Sequence, residues 1–286
     1  MIYLYAYTNH RADLDHLRRM GALWHALKER GVEAELLVND YRAQLAGREL
    51  GLPAATTIET IMDIDAVAEH GDTVVIDSPE EGGERVKRYG ENFSALYRVE
   101  RFCGEERRYG ETMLPRWKGE KEVPELWADP SYERAAGIPK EARTVLFYGD
   151  SDAEKKLLAA RERFAGLGLE LYWGHYFYVK YEADLQESFP VIHESDAYRE
   201  LLSTSRTVVT ASAQTAMEAA VSGASVVFLE KEEIEGCFEE ILKRLEIPVV
   251  PLGDRTALIR AMERHAPSRK SRTFVGELAE EILKKY

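Results

Sequence analysis

Three short stretches carry the residues that could do chemistry. The first, "TNHRADLDHLRR", joins an apolar run to a helical pattern and offers Asp13, Asp15, His16, Arg18 and Arg19 where phosphate-binding turns usually carry glycine. A neutral imidazole with an unperturbed pKa of about 6.5 suits general-base work near neutral pH. His16 is the candidate base, although it also shares a helical face with Met20, Leu23 and Leu27 and could equally be a hydrogen-bonded core histidine. His10, in the same loop, is an alternative base, and Arg18 and Arg19 read equally well as surface charges.

The second stretch, "TVVTASAQTAMEAA", is a buried-strand pattern running into a helix at Ser212 and Ala213, with Glu218 on the early turns and Gly223 at the end. Small residues at such a turn admit a ligand to the backbone, and unpaired N–H groups at a helix start suit a diphosphate. Glu218 could accept ribose hydroxyls; the plain alternative is Ser212 as N-cap and Glu218 on a solvated face. The third, "VLFYGDSDAEKKLL", repeats that logic: Gly149 follows a strand, and Ser151 or Asp152 either faces a ligand or caps a helix expected over residues 151–164.

These stretches sit in an alternation of β-rich apolar runs and helical periodicity, the βαβ signature of parallel sheets. The first helix repeats Leu17, Met20, Leu23, Trp24 and Leu27 at helical spacing and stops at Gly31, which predicts one core face and one wet face. The rhythm breaks after Phe102 and resumes at "RTVLFYG". The 286 residues therefore divide into an α/β Rossmann-like domain over 1–138, a second over 139–268, and a terminal amphipathic helix over 269–286 that packs back across the linker or on the second domain. A ligand cleft is expected between the domains, facing the carboxyl ends of both sheets.

Composition narrows the partners. A formal net charge of -13 argues against a nucleic-acid surface, because acidic neighbours cancel the cations that phosphates need. The N-terminus lacks a basic leader, and no apolar run is long enough to span a bilayer, so a cytoplasmic protein is expected. Cys103 and Cys237 lie far apart and outside metal-ligand spacing, which predicts neither a disulfide framework nor a metal site and suggests a reducing compartment.

Taken in order, "DLDHLRRMGALWHALKERGVEAELLV", "VVIDS", "LFYGDSD" and "IHESDAYRELLSTSRTVVTASAQTAMEAAVSGASVVFL" resemble the UDP-sugar hydrolase of pseudaminic acid biosynthesis. Its family includes spore-coat polysaccharide proteins and is related to the two-domain peptidoglycan N-acetylglucosaminyltransferase. The resemblance spans most of the chain outside residues 80–140. It implies a GT-B-like fold of two Rossmann-like domains and hydrolysis of a nucleotide-activated, UDP-linked sugar, without cofactor or metal. Transfer to an acceptor and a catalytically degenerate binding protein are the alternatives.

By the same resemblance His16 is the catalytic base and Asp77 borders the sugar or the water. Arg19 assists the phosphates, Gly149, Ser151 and Asp152 form the family's glycine-rich turn, Ser212, Ala213 and Glu218 hold diphosphate and ribose, and backbone near Ile192 meets the uracil. The sequence departs from the family at Asp13, Asp15 and Asp150, each replacing a turn glycine. Aspartate adds bulk and repels phosphate, so these three positions decide whether the site still works.

Overall fold

A computed structural model describes residues 1–119, 121–176, 182–264 and 267–286. The strands are β1 (Ile2–Ala6), β2 (Ala34–Val38), β3 (Thr56–Thr57), β4 (Thr73–Asp77), β5 (Ala95–Val99), β6 (Thr112–Leu114), β7 (Trp117–Lys118), β8 (Glu125–Leu126), β9 (Glu141–Phe147), β10 (Leu169–Tyr172), β11 (Ile192–His193), β12 (Ser205–Thr210), β13 (Ser225–Glu230), β14 (Val249–Pro251) and β15 (Arg272–Thr273). The helices are α1 (Asp15–Glu29), α2 (Ala43–Glu49), α3 (Gly83–Asn92), α4 (Pro130–Ala135), α5 (Lys156–Phe164), α6 (Glu182–Gln186), α7 (Tyr198–Thr204), α8 (Ala213–Val221), α9 (Gly236–Arg244), α10 (Arg255–Glu263) and α11 (Val275–Leu283).

Two parallel six-stranded sheets result, in the orders β3-β2-β1-β4-β5-β6 and β11-β10-β9-β12-β13-β14. Each reverses direction beside its first strand, at β1/β4 and at β9/β12, so both switch points open at the carboxyl ends of those strands. Every residue of β1 is buried, as expected of a parallel strand covered by helices on both faces. The two α/β domains expected from the alternation are present.

Helix α1 departs from its expected wet face. Arg18, Arg19, Gly21, Ala22 and Ala26 are buried along with the apolar stripe, because α1 is enclosed by β1, α8 and α11. Its end follows the sequence reading: Gly31 adopts φ +73 and its N–H returns to the Lys28 carbonyl. Helix α11 lies against α1, with Arg30 donating to the Gly276 carbonyl at 2.9 Å and to Glu280 at 3.0 Å. A small sheet, β15-β8-β7, ties the terminal segment to the stretch between the domains, so the terminal helix packs back toward the first domain.

Three further readings change. The stretch after Phe102 is not only a linker: β6 completes the first sheet, pairing Tyr97 with Thr112 and Val99 with Leu114, and is too short to show a period. The helix expected from residue 151 begins at Lys156, after Lys155 takes a left-handed conformation with φ 56. Cys103 and Cys237, expected to be unpaired, form a disulfide across 134 residues of chain. Only folding brings the loop after β5 beside the first turn of α9, so linear spacing could not reveal the pair.

Candidate active site

His16 stands on the first turn of α1, and Asp77 ends β4, which pairs in register with β1. The imidazole Nδ1 lies 2.6 Å from Asp77 Oδ1. Arg19, one turn further along α1, donates from Nε to Asp77 Oδ2 at 2.7 Å and from Nη2 to Oδ1 at 3.1 Å. Burial alone would raise the Asp77 carboxyl, but Arg19 and His16 outweigh it and hold it at about 2. An ionised carboxylate only accepts, so Nδ1–H is the donor to Asp77, and Arg19 Nη2 lies 2.9 Å from the same ring nitrogen. The side chain of His16 is 26% exposed, and Tyr7 meets its ring edge-on. The arrangement holds the imidazole ring through Nδ1 and leaves the side chain open to solvent on one side.

The opposite wall is the start of α8. Ser212 caps this helix, accepting the Thr215 N–H at 3.0 Å. Of the N–H groups expected to be free for a ligand, that of Gln214 is already engaged: Asp15, from the first domain, accepts it at 3.2 Å and also accepts from Ser212 Oγ at 2.8 Å. A carboxylate at a helix N-terminus takes the place that a phosphate favours. Ala213 begins the helix and packs beside the large core cluster, which runs through both domains.

The other two departures from the family close the same seam. Asp150 is fully buried and takes a bidentate contact from Arg18 at 2.6 and 2.8 Å, together with the Leu14 N–H at 2.8 Å. Burial alone would raise the Asp150 carboxyl, but Arg18 and His175 hold it far below the usual range. Asp13 accepts the Asp150 N–H at 2.8 Å and pairs with Lys231 at 2.9 Å. Burial pushes Asp13 up to about 6, against the pull of Lys231. Gly149 is required here because at φ +150 any Cβ would collide with the Asp13 carboxylate. Its close approach serves the protein's own side chain.

Glu218 does not lie on a solvated face. It is 2% exposed and accepts from Tyr198 Oη at 2.7 Å and Gln214 Nε2 at 3.0 Å. Beside it, Arg18 stacks over the Tyr198 ring at 4.3 Å. The space left between Arg18, Tyr132, Tyr198 and Glu218 is about 20 Å³, room for one water rather than a ribose. Burial pushes the Glu218 carboxyl up to about 7 despite Arg18 and the two donors.

A carboxyl whose folded pKa is raised binds more protons folded than unfolded between about pH 4.5 and 7, so stability falls as pH rises through that window. The Glu218→Gln variant removes this loss. Relative to the variant, the native chain should lose about 2–3 kcal/mol between pH 5 and 8, read by urea denaturation at each pH. A difference independent of pH would show that Glu218 titrates normally.

The remaining candidates are placed as follows. Asp152 caps α5, accepting from the Lys156 N–H at 2.7 Å and the Leu157 N–H at 3.1 Å. Ser151 and Asp152 line an open cavity of about 450 Å³ with Arg11, Lys156 and Lys231, beside the seam. Ile192 packs against the second domain's own core, and the His193 carbonyl accepts the Trp173 N–H, so this part of the backbone is committed to the sheet. His10 pairs with Asp40, and His25, on α1, is only partly exposed and pairs with Asp129 at 2.5 Å. His175, in the aromatic-rich stretch "YWGHYFYVKY", lies between Glu49 and Asp150, while residues 177–181 of that stretch lie outside the described residues. Sequence reading named Arg18 but left it open as a surface charge, and it did not single out Tyr198 or Lys231; a buried bidentate arginine leaves no periodic signal that separates it from a surface one.

No protein-family model matches the chain, and no curated protein matches it. Solved structures do. A putative UDP-N-acetylglucosamine 2-epimerase from Listeria monocytogenes aligns over 98% of this chain and 94% of its own, with a TM-score of 0.58 at 13% identity. The UDP-GlcNAc 2-epimerase from Neisseria meningitidis, bound to UDP-GlcNAc, aligns over 100% and 99%, with a TM-score of 0.55 at 9% identity. CalG4, the calicheamicin glycosyltransferase, aligns over 99% and 93%, with a TM-score of 0.54 at 15% identity. The chain has the GT-B fold. Identities this low establish the architecture and leave the chemistry to the site. Among the described residues no helix is long and apolar enough to cross a membrane.

Proposed function

We propose that this protein binds a nucleotide-activated sugar, UDP-linked, between its two domains and transfers the sugar to an acceptor hydroxyl. The observation that carries the reading is the His16–Asp77–Arg19 group at the switch point of the first sheet, with Asp15 of the same turn in contact with the start of α8. In this reaction His16 Nε2 takes the acceptor proton, the acceptor oxygen bonds to the anomeric carbon, and the bond from that carbon to the diphosphate breaks. The negative charge leaves on the diphosphate, where the α8 N–H groups stabilise it once Asp15 has moved aside. Hydrolysis, the reaction of the resembled family, is the same step with water as acceptor; the glycosyltransferase among the structural neighbours favours transfer.

A second reading, a binding protein that has lost catalysis, is supported by Asp15 on α8 and by Arg18 in the ribose space. One experiment separates the readings. UDP-GlcNAc is titrated calorimetrically into the native protein and His16→Ala, and UDP release is followed with and without sugar acceptors. The expected result is unchanged affinity with UDP release slowed about 10²-fold in His16→Ala. Binding without release in the native chain favours the degenerate protein; absence of binding by UDP, CMP or GDP sugars removes both readings.

A further inference from the structure

The loop after β5 and the first turn of α9 belong to different domains, and the Cys103–Cys237 disulfide joins them. Glu235, just before α9, accepts the Cys103 N–H at 2.6 Å and also the Arg116 guanidinium. Both cysteines are half-buried and line an open cavity of about 570 Å³, shared with Trp117, Lys118 and Arg244. A small thiol in solution can therefore reach the bridge. Elsewhere along the same seam, Asp15 covers the start of α8 and Arg18 fills the space beside Glu218. Any ligand that reaches α8 requires the domains to part, and a covalent tie between them opposes that movement.

We propose that Cys103–Cys237 is a redox-governed clasp on the interdomain seam: oxidised, it holds the cleft shut, and reduced by a dithiol, it allows the cleft to open. What the opening serves rests on the nucleotide-sugar reading; the opening itself does not. Arg116, shared with Glu235, places its Nη2 3.6 Å from Cys103 Sγ, which favours Cys103 over Cys237 as the leaving group. The incoming thiolate attacks Cys237 Sγ, the S–S bond breaks, and its electron pair leaves on Cys103. The second thiol of the reductant then displaces Cys237 from the mixed disulfide. Two electrons and two protons pass from the dithiol, which becomes a disulfide, to the two cysteines. The Glu235 contacts remain after reduction, so the reduced cleft opens transiently while the domains stay joined.

Hydrogen exchange on the whole protein, oxidised and after dithiothreitol, tests this. The Leu14, Asp150 and Gln214 amides donate to aspartates along the seam and report its opening. Reduction should speed their exchange by a larger factor than that of amides in β1 and β9, which report global unfolding and accelerate only by the overall loss of stability. Cys103→Ser should show the fast pattern with no response to reductant. Equal protection in both states, or equal acceleration everywhere, overturns the clasp. UDP-GlcNAc titration of both states separates the two ideas: seam acceleration without nucleotide binding supports the clasp and removes the nucleotide reading. Binding of equal affinity in both states, with no preferential acceleration along the seam, overturns the clasp.

Discussion

Replacing Arg18 by methionine is expected to lower stability by about 3–5 kcal/mol, because Asp150 then stays buried as an uncompensated charge. Asp150 is fully buried and Arg18 nearly so, and their bidentate contact spans the two domains. Asp150→Asn should cost a similar amount, leaving the guanidinium under Phe147 and Tyr198 without its bidentate partner and with only the more distant Asp15 carboxylate at 3.7 Å. The double variant Arg18→Met/Asp150→Asn removes both charges together and should be much less destabilised than the sum of the singles. Urea denaturation of the four proteins at pH 7 measures the cycle. Additive losses would mean that each side chain acts through separate contacts, and the seam would not depend on this pair.

Loss of the disulfide is the second large effect. The bridge closes a loop of 134 residues, and a loop that long restricts the unfolded chain strongly. The Cys103→Ser/Cys237→Ser protein should be less stable by about 3–5 kcal/mol than the oxidised native chain, measured by urea denaturation without reductant. In excess dithiothreitol the native chain should approach the variant, since reduction removes the same constraint. A variant as stable as the oxidised protein would show that the bridge does not restrict the unfolded state. Domains commonly hold about 5–15 kcal/mol in reserve, so both sets of measurements belong at low temperature, where partly destabilised variants stay folded.

Both effects bear on function through one feature, the seam. A cleft that sets Asp13, Asp15 and the buried Asp150 against Lys231, the α8 amides and Arg18 is satisfied by the protein's own groups. A diphosphate would have to displace Asp15 from α8, so its apparent affinity is reduced by the fraction of molecules that are open.

How much of this was legible in the sequence follows from range. Periodicity belongs to contiguous residues, so the alternation of strands and helices, the two α/β domains, the stop of α1 at Gly31 and the Ser212 cap of α8 could all be read along the chain. His16 and Arg19 are three apart on one helix face, and that spacing already places both side chains toward one neighbour. The chain could not say which neighbour it would be. Asp77 comes from a strand 58 residues beyond Arg19, and only the parallel pairing of β1 with β4 sets it beneath the imidazole.

The three aspartates show the division most clearly. Sequence alone marked them as departures from a glycine pattern, because residue type is a local property. Whether they disable a site, orient His16 or bind the domains together depends on atoms more than a hundred residues away. Asp15 meets Ser212 and Gln214, Asp150 meets Arg18, and Asp13 meets Lys231 and the turn at Gly149. The same holds for Cys103 and Cys237, whose spacing carries no signal because the contact is made by the packing of one domain on the other. The sequence by itself determined the elements and the polar residues they carry. The tertiary structure alone decided which charges face each other in the dry seam, because an ion pair's partner is chosen by the space left when two domains close.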